Sequence, residues 1–338
     1  MAAAGTVAMT LVEIEDLAFR ALGNAGANGV NARSVARSSA AAHADGVASH
    51  GLPYVPIYCE HVRCGKVNGD AVPAVDRPKP AALVADAGNG FAHPAIDAGF
   101  DRLVPLAKEQ GIACLAIRNS YNCGVLGWHP FRLAQQGLLA IGFTNAPASI
   151  APAGGARKVV GTNPFAVAAP DGQGEAHVLI DQSASIVARS EIMQFARRGE
   201  AIPEGWALDG DGKPTTDPEV ALKGTMLPSG GYKGFGVGLM VELFAAAAVG
   251  ATLGIDASPF AGPVGGPPAT GQFFVAVDAD TTSGGAFAGR VADLVAAIAE
   301  QPGARVHGAG RKAARARAAA GPIEIDRVIV EKVRWLAG

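Results

Sequence analysis

The sequence predicts an α/β protein with a helical N-terminal region and a C-terminal tail. Three observations support this. From Ala81 onward, apolar runs of strand length alternate with helical stretches, the texture of a mostly buried sheet flanked by helices. Before that point the pattern is helical, with caps. The chain has 338 residues, 49% apolar and 17% charged, enough apolar matter for a sizeable core and too little charge for a disordered chain.

Thr10-Leu11-Val12-Glu13 reads as a capping box, opening a helix that runs to about Gly23. Asn31 is expected to cap a second helix, reaching Ala44 or Gly46. Ser49-His50-Gly51 then falls just past a helix end, where irregular backbone can point side chains into a site. A third helix spans about Val55 to Arg63, and the Pro-rich stretch from Val72 to Pro80 reads as a linker. In the body, Ala81–Ala85, Ile112–Ile117, Leu138–Thr144, Ala166–Ala169, Val178–Asp181 and Gln272–Val277 are expected strands. Helices are expected at Pro94–Glu109, Pro130–Gln136, Ile192–Arg198, Gly236–Val249 and Phe287–Glu300, with Pro105 interrupting the first. Residues 204–218 read as a loop, and a polar tail closes the chain. The division expected is a helical region, 1–78, packed with 303–338, and an α/β body, 79–302.

A net charge of −2 argues against a nucleic-acid binder, and the basic cluster Arg305–Arg317 reads as a solvated terminal helix. Cys59, Cys64, Cys114 and Cys123 match no zinc or redox spacing; with no signal peptide in evidence, a reducing cytoplasm is expected. Phe235–Ile255 is apolar, but it carries Glu242 and several glycines, so a buried core helix is expected rather than a membrane span.

No Gly-x-Gly-x-x-Gly follows a strand, so a Rossmann domain is not expected; there is no P-loop and no His-Glu-x-x-His. Several polar runs stand out instead. Ser49-His50-Gly51 sets a hydroxyl beside an imidazole suited to proton transfer, or else holds a structural histidine at a helix end. Asn119–Gly124 follows a strand, where α/β proteins place ligands, or is an ordinary turn. Gly161-Thr162-Asn163-Pro164 and Asp181–Ser185 carry the same ambiguity. Gly230–Gly234 would let backbone approach a phosphate while Lys233 adds charge, or is a plain loop.

In this order, the runs Ser49-His50-Gly51-Leu52, Gly161-Thr162-Asn163-Pro164, Gly205–Asp209, Pro214–Pro218, Gly231-Tyr232-Lys233-Gly234 and Gly266–Gln272 resemble the type-2 malate/L-lactate dehydrogenase family, over about Glu13 to Arg311. That family includes sulfolactate and ureidoglycolate dehydrogenases and reductases of Δ1-piperideine-2-carboxylate and Δ1-pyrroline-2-carboxylate. The resemblance implies a non-Rossmann nicotinamide-binding α/β domain with a mixed sheet, in a homodimer whose site lies near the subunit interface. It implies His50 as proton donor with Ser49 as its polar partner, Glu191 as a relay acid, and Tyr54, Thr162 and Ser185 at substrate. Asn122, Cys123, Gly124, Asp181, Gln182, Ser183, Tyr232, Lys233, Arg305 and Arg311 would line the cofactor, with NADP(H) favoured over NAD(H) because Lys233 and the two arginines suit a 2′-phosphate.

The sequence departs from the family pattern at three places. Tyr54 stands where many members have arginine, Asn122 where many have histidine, and Glu191 where an aspartate relay is usual. An acid group then needs another anchor, for which Arg189, Lys158 or Arg157 are candidates. The expected activity is hydride transfer between nicotinamide and the carbon beside a carboxylate, on a 2-oxo/2-hydroxy acid pair. Reduction of a cyclic α-imino acid is the alternative, and a cofactor-binding protein that has lost catalysis is a third.

Overall fold

The computed structural model describes residues 5–338. Helix α1 (Leu11–Asn24) carries the expected capping box: Thr10 Oγ1 accepts from Glu13 N at 3.3 Å, and Glu13 Oε2 accepts from Thr10 N at 2.7 Å. Helix α2 (Gly29–Ala44) begins earlier than expected, because Asn28, not Asn31, is its cap, accepting from Asn31 N at 2.9 Å. Asn31 is instead buried, and its amide donates to the carbonyls of Gly69 and Ala71. A buried amide must satisfy its N–H groups, and the facing loop offers two acceptors.

Helices α1, α2 and α3 (Val55–Arg63) close around Leu17, Leu22, Val35 and Tyr58, and the C-terminal helix α12 (Arg327–Ala337) completes this core with Val330 and Val333. Strand β1 (Thr6–Met9) pairs antiparallel with β12 (Ile323–Asp326). The end of the chain is therefore not a polar tail. Its apolar positions recur at helical spacing and bury one face, a pattern obscured by the charged residues between them.

The main sheet has seven strands in the order β2-β3-β4-β11-β5-β6-β7. These are β2 (Ala74–Lys79), β3 (Ala82–Asp86), β4 (Ile112–Ser120), β5 (Leu139–Thr144), β6 (Phe165–Pro170), β7 (Ala176–Gln182) and β11 (Thr270–Val277). Only β3 and β4 run parallel; the other neighbours are antiparallel, so the sheet is mixed. Strand β2 lies where a linker was expected. It is an exposed edge strand, the position that tolerates Pro78.

Helix α4 (Ala92–Gln110) joins β3 to β4 and packs Ile96, Leu103 and Ala107 on Leu83, Leu115 and Phe274. It starts two residues before Pro94 and runs unbroken through Pro105. The carbonyl that loses a donor there belongs to Asp101, on the exposed side, where solvent can replace it. Gly142 must be small, since a Cβ would come within 2.7 Å of the Phe274 ring. Helix α5 (Trp128–Ala134) lies on β5 and β6.

The segment expected to be a loop over 204–218 contains a hairpin, β8 (Ala207–Leu208) and β9 (Pro214–Thr215), extended by β10 (Thr225–Met226). Helices α6 (Arg189–Arg198) and α7 (Pro218–Lys223) flank it. Helix α8 (Tyr232–Glu242) continues into a π-helical turn, Leu243–Ala247. It is not the buried core helix expected: Val241 and Ala245 pack on Phe143, while Leu239, Leu243 and Phe244 are 44%, 56% and 40% exposed. After α9 (Ala279–Ser283) and α10 (Phe287–Ala299) comes α11 (Ala309–Ala320). No helix among the described residues is long and apolar enough to cross a membrane.

Candidate active site

Helix α2 ends where the N–H groups of Gly46 and Val47 return to the carbonyls of His43 and Ala42, at 3.0 and 2.8 Å. The chain then makes two 3-10 turns, Ala48–His50 and Leu52–Tyr54. His43 braces them from behind: its Nε2 accepts the Leu52 N–H at 3.0 Å. That role needs a neutral ring, and burial pushes the His43 pKa down to about 4. Gly51 is the residue between, and any Cβ there would overlap the His43 imidazole.

His50 sits half-buried on this scaffold. Ser49 Oγ lies 3.1 Å from its Nδ1, and Nε2 makes no hydrogen bond to the described residues. The hydroxyl thus engages one ring nitrogen and leaves the other open to a proton-transfer partner, the arrangement a general acid or base requires. Tyr54 lies parallel to the imidazole, 3° from coplanar with centroids 6.1 Å apart, and its far side meets Tyr58 edge-on. Desolvation holds the His50 pKa below its ordinary 6.5; Asp181 pulls it up and Arg311 pulls it down, both by charge.

Asp181 and Arg311 are bound to each other, Arg311 Nη2 to Asp181 Oδ2 at 2.6 Å. The same carboxylate accepts the Gly127 N–H at 3.0 Å and so holds the back of the loop 123–127. Asn122 opens that loop. Its Oδ1 accepts from Gly124 N at 2.7 Å and, more distantly, from the Tyr58 hydroxyl at 3.4 Å, and its NH2 has no partner among the described residues. Cys123 is buried and its thiol is pushed up to about 12, so it is no nucleophile.

The run Gly231–Gly234 does not precede α8; Tyr232 and Lys233 are its first residues. No side chain among the described residues caps this N-terminus. Gly230 and Gly231 take left-handed φ of 67° and 66° with open space where a Cβ would be, and Gly234 touches the Ser229 backbone too closely to carry one. Tyr232 is 72% exposed and Lys233 is exposed, with no ion-pair partner among the described residues. Uncapped N–H groups, glycine backbone and a free ammonium fit a cofactor phosphate.

The remaining expected residues are placed less decisively. Ser183 and Ser185 share a hydrogen bond at 2.9 Å just past β7, and the Thr162 carbonyl accepts from Ala184 N at 2.8 Å, so these two segments meet. Gln182 and Arg305 are exposed. Glu191 lies exposed on the first turn of α6, and its carboxylate bonds to neither Ser49 nor His50. Arg157 and Lys158 line a cavity of about 550 Å³ with Lys223 and Asp209, none of whose walls is His50, Tyr54 or Thr162. Arg189 donates to the Leu222 carbonyl.

Three groups escaped the sequence reading. Asp45 and Arg315 belong to the ion network around Arg311, and the cluster 305–317 is therefore not simply a solvated face. Glu242, first noticed only as a charge in an apolar run, accepts from Asn163 Nδ2 at 2.7 Å and Gly254 N at 2.6 Å and pins α8 to two loops. None has a local signal: each pairs with residues far away in sequence.

Residues 9–334 match the model of the family described as malate/L-lactate dehydrogenase. The chain belongs to that family. As a member it is an NAD(P)-dependent oxidoreductase of carboxylate-bearing substrates. Among its relatives, the (2R)-3-sulfolactate dehydrogenase (NADP(+)) of Chromohalobacter salexigens is 42% identical, over 97% of this chain and 98% of that one. The Δ1-pyrroline-2-carboxylate reductase of Ancylobacter novellus is 39% identical over 98% and 97%. The crystal structure of Δ1-piperideine-2-carboxylate reductase from Pseudomonas syringae superposes with a TM-score of 0.91 at 34% identity, covering 98% of this chain and all of that one.

Proposed function

We propose that this family member is an NADP(H)-dependent oxidoreductase acting on a 2-oxo/2-hydroxy acid pair, with His50 as proton donor to the substrate oxygen. The observation that carries this reading is the His50 turn: Nδ1 engaged by Ser49, Nε2 free, and the ring backed by Tyr54. Bound NADPH supplies the hydride. The start of α8, with Lys233, would hold a cofactor phosphate. Preference for NADP(H) rests on Lys233 and Arg305 more than on Arg311, whose guanidinium Asp181 already neutralises. It is supported by the name of the sulfolactate dehydrogenase relative. Asp181 acts by holding loop 123–127 in shape, and Asn122 offers its NH2 to the bound molecules. Thr162 and Ser185 would contact substrate, with Glu191 as relay acid.

The chemistry of His50 follows from its environment. Reduction needs the imidazolium, and desolvation makes that form harder to keep. Reduction should therefore weaken as pH rises through a value below 6.5, while oxidation gains over the same interval.

A second reading, reduction of a cyclic α-imino acid, is favoured by two observations. Tyr54, seated edge-on against the buried Tyr58, presents an aromatic face beside His50 where many family members carry arginine, and such a face suits the positive charge of a protonated cyclic imine. The relatives named as pyrroline- and piperideine-2-carboxylate reductases point the same way.

The helical region 1–78 with 303–338 would present the acid, and the body 79–302 the cofactor. The exposed Leu239, Leu243 and Phe244 face supports a homodimer, and four unpaired cysteines support a cytoplasmic setting.

The deciding experiment is a panel of 2-oxo, 2-hydroxy and cyclic imino acids assayed with NADPH and NADH. Turnover of an oxo acid establishes the first reading, and turnover of the imines alone establishes the second. Saturable NADPH binding without turnover of any member would reject both in favour of a protein that has lost catalysis.

A further inference from the structure

Helix α11 lies across the junction between the His50 segment and the sheet, and two arginines one helical turn apart make the connection. Arg315 Nη1 binds Asp45 Oδ1 at 2.8 Å, and Arg315 Nη2 reaches Glu175 Oε2, near the start of β7, at 3.2 Å. Arg311 is shared between Asp181, at the end of β7, at 2.6 Å, and Asp45 Oδ2 at 3.6 Å. Asp45 is the C-cap residue of α2, five positions before His50, and its side chain is 2% exposed. Ala314, between the two arginines, packs against Gly46, where an added Cβ would sit 3.4 Å away. The Arg315 guanidinium rests over the Phe131 ring of α5 at 4.0 Å. The turn that carries His50 is thus tied at its root to both ends of the strand whose Asp181 shapes the cofactor loop.

We propose that Asp45 and Arg315 are positioning residues of the reaction, holding the proton donor at a set distance from the cofactor strand without touching substrate or cofactor themselves. The inference rests on the reading of His50 as proton donor. Its physical basis is the steep dependence of group transfer on alignment: a displacement near 1 Å can lower the rate by about a hundredfold. His43 fixes the turn only within its own segment; the Asp45–Arg315 pair fixes the segment to the sheet. Asp45 also has little else to pair with. Its Oδ2 makes no hydrogen bond among the described residues, with Arg311 Nη1 at 3.6 Å.

The test compares Arg315→Gln, Arg315→Lys and His50→Ala, assayed with saturating NADPH well below their melting temperatures, with NADPH affinity measured separately by fluorescence. Arg315→Gln should lower kcat about tenfold while the dissociation constant for NADPH stays within about twofold. Arg315→Lys, which keeps a charge opposite Asp45, should recover most of the loss. Wild-type kcat in folded Arg315→Gln overturns the proposal. So does a loss of kcat and NADPH affinity together that lysine does not restore, which would mark a merely structural pair. If Arg315→Gln proves insoluble, Asp45→Asn replaces it with the same expectations. Turnover persisting in His50→Ala would instead reject the reading of His50, a result the arginine variants cannot mimic.

Discussion

His50 is braced from three sides, by Ser49 on its ring, by His43 behind its turn and by Arg315 through Asp45, whereas Lys233 at the start of α8 has no partner among the described residues. Both positions would serve the same reaction, yet the chain sets buried ion pairs and a close-packed glycine at one and leaves the charged side chain of the other exposed. A proton donor acts through direction and distance, so its scaffold must be rigid before substrate arrives. A phosphate anchor acts through charge and open N–H groups, which tolerate a flexible ammonium. Damage to the braced end should therefore appear in kcat or in stability, and damage to the open end in KM.

The largest effect expected is that of His50→Ala. Removing a general acid costs roughly 10²–10⁴ in rate, so kcat for reduction should fall about a thousandfold with NADPH affinity nearly intact. A variant retaining more than a tenth of wild-type turnover would remove His50 from the chemistry and with it any functional reason for the bracing of its turn.

The bracing should next be visible in stability against pH. His43 and His93 are buried, and desolvation lowers each pKa from 6.5 to about 4. The unfolded chain takes up these protons first as pH falls through 6.5, so the stabilising contribution is complete above that value and shrinks until about pH 4. By pH 5 each group should have removed about 2 kcal/mol. Urea midpoints measured at pH 7 and pH 5 check this; a flat profile would show that these rings are not held neutral by the fold.

How far this was legible beforehand differs between the two ends. The cap of α1 and the bounds of α3 follow from signals within a few residues, and both were read directly. The strand–helix alternation likewise identified the sheet. β2 looked like a linker because an edge strand places few demands on side chains, and α12 looked polar because only one face of it is buried. At the site, Ser49-His50 remained ambiguous as a dipeptide and gained meaning only from the order of the other segments. Lys233 was visible because glycines surround it. Asp45–Arg315 was not, because 270 residues separate the partners and neither has a local pattern.

Gly51→Ala separates geometry from chemistry at the braced end. The added methyl must displace the His43 ring or the turn itself. Overpacking of this kind costs about 1–3 kcal/mol, and because the turn carries His50, kcat should fall alongside the melting temperature. A stable Gly51→Ala protein with normal kcat would mean that the turn adapts without moving His50.

Lys233→Ala probes the open end and should be the mildest change. Losing one exposed charged contact to a phosphate is worth about 1.4 kcal/mol, or a tenfold rise in KM for NADPH. At saturating cofactor, kcat should stay within about twofold of wild type, because nothing in the His50 turn depends on Lys233. The wild-type KM should also rise with salt, and the variant's should rise less, since screening weakens an exposed charge pair. A fall in kcat at saturation would show that the two ends are mechanically joined through α8. The partition of rigidity at His50 and freedom at Lys233 would then have to be replaced by a site that closes as one unit.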